Sequence, residues 1–194
     1  MANYESLLAA LRKRAGHHGI KLREAKLGPD TAGKFDGPSI TLNPDFNPQE
    51  LAFYLAHALG SIAQWSTDFH HARVVYSELR AATRERPGSI ERFVKALGRY
   101  LEFEETSSEH AAWLLHEIGH DWAIPEYAVF FRADLAAMSE FHTTGKAPVW
   151  RDFFTRWKER VAAGEQKIEP FRPRPVPEFR PVEIPTQEVL QEDG

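Results

Sequence analysis

Between residues 43 and 50 the chain changes its hydrophobic period, and that change limits what it can fold into. Before it, Ile20–Leu27 alternates (Ile20, Leu22, then Ala25 and Leu27) and predicts a strand, followed by a Gly28-Pro29-Asp30 turn. Ala32–Phe35 and Ser39–Leu42 predict two short strands about Asp36-Gly37, a hairpin dipeptide. Asn43-Pro44-Asp45 ends the last strand. Asn47 then caps a helix, with Pro48 at its first position and Glu50 three residues after the cap. That helix is expected to run to about Trp65, with Leu51, Leu55, Leu59 and Ile62 as its core stripe.

Almost everything after it reads as helix: about 68–86, 89–104, 106–121, 126–142 and 148–163. Breaks are expected at Pro87-Gly88, near Thr106-Ser107-Ser108, at Pro125 and at Gly145-Lys146. Ahead of the strands, residues 3–15 predict an amphipathic helix with Leu7, Leu8 and Leu11 on one face. The expected fold class is therefore α+β, a small N-terminal sheet packed on a mostly helical body.

Beyond Gly164 the pattern changes again. Six of the thirteen prolines fall between Pro170 and Pro185, interleaved with Phe171, Val176, Phe179, Val182 and Ile184. Proline lacks the backbone N–H and fixes φ, so this stretch predicts an extended, polyproline-like tail, with Phe171, Phe179 and Ile184 as anchors on the body. The expected organisation is a domain over residues 1–165 and a proline-rich tail over 166–194. The net charge of −4 argues against a general nucleic-acid coat. Residues 1–35 are locally basic, with seven Lys and Arg against three acids, a solvated face rather than a reading surface. With no cysteine, any metal would need His and carboxylate ligands. No signal-like or membrane-spanning apolar run is seen, so the expectation is a cytoplasmic protein without a membrane partner.

Two stretches carry metal-site patterns. His116-Glu117-Ile118-Gly119-His120 spells H-E-x-x-H, in which two histidines one helical turn apart share a zinc ion and the glutamate acts as general base. Glu140, twenty positions on, is the candidate third ligand. On this reading the chain is a zinc metallopeptidase using His116, His120, Glu140 and Glu117. Two physical points oppose it. Ala111, Leu114, Leu115 and Ile118 form the apolar stripe, leaving both histidines nearly opposite. No strand is predicted nearby to hold an extended substrate.

The other stretch is His57-Ala58-Leu59-Gly60-Ser61, on the capped helix that follows the predicted sheet. The run "DGPSITLNPDFNPQELAFYLAHALGSIAQW" resembles the ImmA/IrrE family of zinc metallopeptidase-like proteins, with a strand ending in Asn-Pro before a helix of the "LAHELGH" type. The resemblance covers residues 20–65. It extends more weakly to "EETSSEHAAWLL" (104–115), similar to the family's third-ligand helix. It implies a zincin-like fold in which His57 keeps the first ligand position, Ala58 replaces the catalytic Glu and Ser61 replaces the second His. Matching Ala111-Ala112 and Leu114-Leu115 puts Thr106 at the third-ligand position, and a one-residue slip puts Glu105 there.

Ala58 cannot take a proton and Ser61 is a poor neutral ligand, so the implied protein is a pseudoenzyme without cofactor. It would act as a protein- or peptide-binding or regulatory module in a bacterial setting, its partner of the helix-turn-helix regulator kind, with Phe53, Tyr54 and Gln64 shaping the groove. The remaining candidates are weaker. Glu102, Glu104, Glu105 and Glu109 read as a solvated acidic face, and the adjacent pairs His17-His18 and His70-His71 make poor chelates.

Overall fold

A computed structural model describes residues 3–85, 89–146, 148–176 and 178–184. Its architecture is α+β, with six helices and one three-stranded sheet among the described residues. Helix α1 (Tyr4–His17) is capped by the Asn3 side chain, which accepts from Ser6 N at 2.9 Å. It buries Leu7, Leu11 and Ala15, a single stripe at four-residue spacing. Strand β1 (Lys21–Glu24) follows, shorter than the expected Ile20–Leu27, although Ala25 N still donates to Leu42 O at 3.1 Å. Strands β2 (Gly33–Phe35) and β3 (Ser39–Leu42) form the predicted hairpin, where Asp36 Oδ1 accepts from Ser39 N at 2.7 Å.

The sheet order is β1-β3-β2. Strand β3 lies in the middle, parallel to β1 with Leu22 beside Ile40, and antiparallel to β2 with Phe35 beside Ile40. Ile40 and Leu42 are buried, while β1 is largely exposed. The Asn43 amide donates to Gly28 O and Thr31 O at 3.3 and 3.0 Å, tying the turn before β2 to the end of β3.

Helix α2 (Pro48–Thr67) begins with both halves of the capping box: Asn47 Oδ1 accepts from Glu50 N at 3.0 Å, and Glu50 Oε2 accepts from Asn47 N at 3.1 Å. Helix α3 is Phe69–Arg84. The expected Pro87-Gly88 break lies outside the described residues.

The largest departure from expectation is helix α4, which runs unbroken from Ile90 to Glu117 through the predicted break at Thr106-Ser107-Ser108. The serines are there for size. Helix α2 crosses α4 at Gly60, where an added Cβ would lie 2.2 Å from Ser107 O and 2.8 Å from Ala111 N. Ser107 and Ser108 are fully buried; Ser107 Oγ donates to Gln64 Oε1, and Ser108 Oγ returns to Glu104 O at 3.1 Å. Small side chains let the two backbones meet and satisfy their hydroxyls locally. Gly60→Ala is therefore expected to cost about 3 kcal/mol, at the upper end of overpacking effects, because backbone rather than a side chain must yield. Chemical denaturation checks this, and a loss below about 0.5 kcal/mol would mean the helices are not in backbone contact.

Helix α4 is followed by a 3-10 turn (Asp121–Ala123), helix α5 (Ile124–Thr144) and helix α6 (Trp150–Ala162). No helix among the described residues is long and apolar enough to cross a membrane.

The tail is extended and docked. Phe171, Phe179 and Ile184 are 4, 5 and 8% exposed, as their spacing among the prolines suggested. Residues after Ile184 lie outside the described residues.

Candidate functional site

Helix α2 carries His57 and Ser61 on the side facing α4 and α5. His57 Nε2 lies 3.3 Å from Ser61 Oγ, one turn along, and 3.7 Å from Glu104 Oε2 on α4. Its ring stacks on Phe131 of α5, with centroids 4.4 Å apart. His57 Nδ1 is buried without a hydrogen-bond partner. With the His57 side chain only 13% exposed, burial pushes its pKa down to about 3, and the imidazole is neutral at physiological pH.

Glu104 faces it with a side chain only 5% exposed. Burial raises its carboxyl to about 7 against the pull of the Tyr76 hydroxyl, which donates to Oε1, and with the help of the nearby Asp134 carboxylate. Asp134 on α5 is only half-buried as a residue, yet desolvation of its carboxyl also raises it to about 7. Four tyrosines surround these acids: Tyr54, Tyr76, Tyr100 and Tyr127. Each is raised above its ordinary value by burial first and by nearby carboxylates second, so all four stay protonated. At neutral pH the cluster is thus a neutral imidazole, two carboxyls near their midpoints and a ring of phenols. Ala58, the residue after His57, is fully buried and brings no acid–base group.

Of the residues singled out from the sequence, His57 and Ser61 lie in contact one turn apart on α2, with Ala58 buried between them in the chain. Glu105 and Thr106 do not face His57. The Glu105 carboxylate pairs with Arg132 at 2.6 Å, and Thr106 Oγ1 donates back to Glu102 O at 3.2 Å. The residue across the pocket is Glu104. Helix continuity would have found it, because Glu104, Ser107, Ser108, Ala111 and Leu115 form one buried stripe once no break is placed among the serines. The acidic cluster accordingly splits: Glu109 pairs with Arg174 at 3.5 Å, Glu102 is exposed, and Glu104 alone turns inward. Gln64 and Phe53, expected at the groove, are buried in helix packing. Tyr54 does reach the sheet, where its ring closes against Gly33 of β2.

The H-E-x-x-H segment is not a helical chelate here. Helix α4 ends at Glu117, and Gly119 adopts the left-handed conformation (φ 77°). His120 N folds back to Leu115 O at 2.8 Å, a Schellman-type stop that places the second histidine beyond the helix. The i, i+4 face needed for His116 and His120 to share an ion is not formed. His116 Nδ1 instead lies 2.6 Å from Asp121 Oδ1, and Glu117 pairs with Arg14 at 2.6 Å. The His120 ring meets Trp122 edge-on, and Glu140 is exposed near the end of α5. Among the described residues no three His, Asp or Glu side chains are grouped to hold a metal ion.

His17 and His18 point apart functionally. His18 stacks on Phe179 of the tail at 4.0 Å. His70 and His71 are exposed on α3.

Compared with known proteins, the chain matches no family model, no curated protein and no solved structure.

Proposed function

We propose that this chain is a metallopeptidase-like scaffold of the ImmA/IrrE kind, zincin-like in fold, whose metal chemistry has given way to a closed proton-bearing cluster. Its function is to bind a protein or peptide segment beside that cluster. One observation carries the reading: a carboxylate, Glu104, stands 3.7 Å from His57 Nε2 across the α2–α4 crossing, while the base position holds Ala58. A metallopeptidase presents its third ligand in this way to a histidine on the helix that follows the sheet, and without the base no water is activated. The order of helix, strand, hairpin and capped helix supports the same assignment. So does the short β2, an edge strand that pairs with β3 and whose Gly33 packs against the Tyr54 ring.

Strand edges bind extended segments through backbone hydrogen bonds, with side-chain pockets adding specificity. The partner class favoured is an extended segment of a regulatory protein, of the helix-turn-helix kind implied by the resemblance.

The test is crosslinking capture from the native host with the wild-type chain and with Lys34→Glu, which reverses charge at the exposed position of β2 without touching the core or the cluster. Recovery of one partner by the wild type, reduced at least about tenfold by Lys34→Glu at unchanged melting temperature, is the expected result. Equal recovery by both, or none by either, would sink the binding-module reading.

A further inference from the structure

The tail runs over the body as a ligand would. Phe171 inserts beside Tyr127 and Phe131, ring centroids 5.9 Å away in each case, with the Arg132 guanidinium 4.6 Å above its ring. Phe131 is the same ring that stacks on His57, so the first anchor of the tail sits one side chain from the cluster. Three residues on, Arg174 N donates to Glu109 O at 3.1 Å, and Arg174 O lies 3.3 Å from His110 Nδ1. Phe179 stacks nearly flat on His18 (15° between planes), and its carbonyl lies 3.4 Å from His18 Nδ1. The segment then passes over the hairpin. Val182 O lies so near Gly37 that an added Cβ would stand 1.8 Å from it, and Ile184 N donates to Asp36 O at 2.8 Å, directly after β2.

Its three anchors belong to the buried core, and three features describe how the strap between them is held. Its prolines remove backbone donors, and among the described residues it joins no strand ladder and is held by isolated hydrogen bonds and a few side chains set in the core. Its tether, helix α6, buries no residue fully and leads into it through the left-handed Gly164. The groove floor also carries a glycine where a backbone passes too close for any Cβ.

We infer that the strap is the resident, displaceable ligand of this groove. The partner then has the strap's own chemistry: an extended, proline-rich peptide with two aromatic side chains about eight residues apart, one for the Tyr127–Phe131–Arg132 pocket and one for His18. In polyproline geometry that spacing is roughly 25 Å. The inference rests on the peptide-binding reading above and adds to it both the ligand class and a gate: the strap must leave before the partner enters. A tethered competitor at millimolar effective concentration lowers apparent affinity without altering the groove.

The experiment uses the full chain and a fluorescent synthetic peptide of residues 168–184. Phe171→Ala with Phe179→Ala weakens the strap and leaves every groove residue in place. The double variant is expected to bind the peptide at least about tenfold more tightly than the wild type, and a peptide lacking both aromatic rings is expected not to bind. Should the double variant fail to fold, the wild-type sequence with a protease site placed after Gly164 serves instead. After cleavage the labelled peptide is expected to exchange into the groove while the body stays folded. Unfolding on cleavage, or absence of exchange, overturns the inference by making the strap part of the core. Equal binding by wild type and double variant leaves a peptide groove but removes the gate. Binding by neither, alongside capture that depends on Lys34, removes the proposed ligand class and leaves the edge-binding reading standing.

Discussion

Replacing Ser61 by histidine should leave about one zinc per chain after dialysis, where the unaltered chain is expected to hold none. The substituted ring would enter the space in which Ser61 Oγ now stands 3.3 Å from His57 Nε2. Glu104 Oε2, 3.7 Å from the same nitrogen, would complete a His2Glu set of the kind found in zinc peptidases. Ser61 is almost fully buried, so the larger side chain carries an overpacking cost of about 1–3 kcal/mol in the absence of metal. Zinc at a hundredfold excess over its dissociation constant returns about 2.7 kcal/mol, which raises the melting temperature by roughly 5–10 °C for a chain of this size.

Adding Ala58→Glu supplies the base and is the step at which peptide hydrolysis would first be sought. Elemental analysis decides the matter. Zinc retained by Ser61→His must be lost when Glu104→Gln is added. It must persist when Glu105→Gln, or His116→Ala with His120→Ala, is added instead. Dependence on Glu105 or on the 116–120 segment would show that the pocket has been assigned to the wrong residues.

Glu104→Gln in the otherwise unaltered chain should become progressively more stabilising as pH rises. The folded chain holds the Glu104 proton up to about 7, whereas an unfolded chain releases it near the ordinary value of 4.5. Between those values the unfolded state loses its proton first, so this group's contribution to stability is present below about 4.5 and is lost as pH climbs to 7. The full shift corresponds to about 3 kcal/mol. The variant is therefore expected to match the wild type near pH 4.5 and to exceed it by 2–3 kcal/mol (about) at pH 8.

His57 works in the opposite sense. Its folded pKa of about 3 lies below its ordinary 6.5, so its contribution is present above 6.5 and is lost as pH falls toward 3. Comparing variant and wild type at each pH cancels that background. Urea titrations across pH 4.5–8 provide the measurement. A pH-independent difference would mean that Glu104 is not a buried acid.

The elements whose physics is local were legible from sequence. Asn47, Pro48 and Glu50 fixed the start of α2, and Asp36-Gly37 fixed the hairpin, because capping and tight-turn chemistry need only a few adjacent residues. The anchors of the tail were legible for a similar reason, since apolar residues among prolines have few other uses. What escaped notice depended on partners distant in sequence. Thr106-Ser107-Ser108 looks like a break until Gly60 comes against it, and assuming that break moved the pocket carboxylate from Glu104 to its neighbours. The 116–120 pattern erred the other way. The Gly119 inside the motif is also the residue that stops the helix, and a pattern of residue types does not register a backbone turning left.

The strap's position in the chain also sets an order of events during synthesis. It docks on α1, the β2–β3 hairpin, α4 and α5, all of which are made before it. At about 5–20 residues per second, the stretch from 165 to 184 takes on the order of one to four seconds to synthesise. The strap would therefore be added to a body whose helices and hairpin are made first, and the seating of its anchors would be a late step of folding.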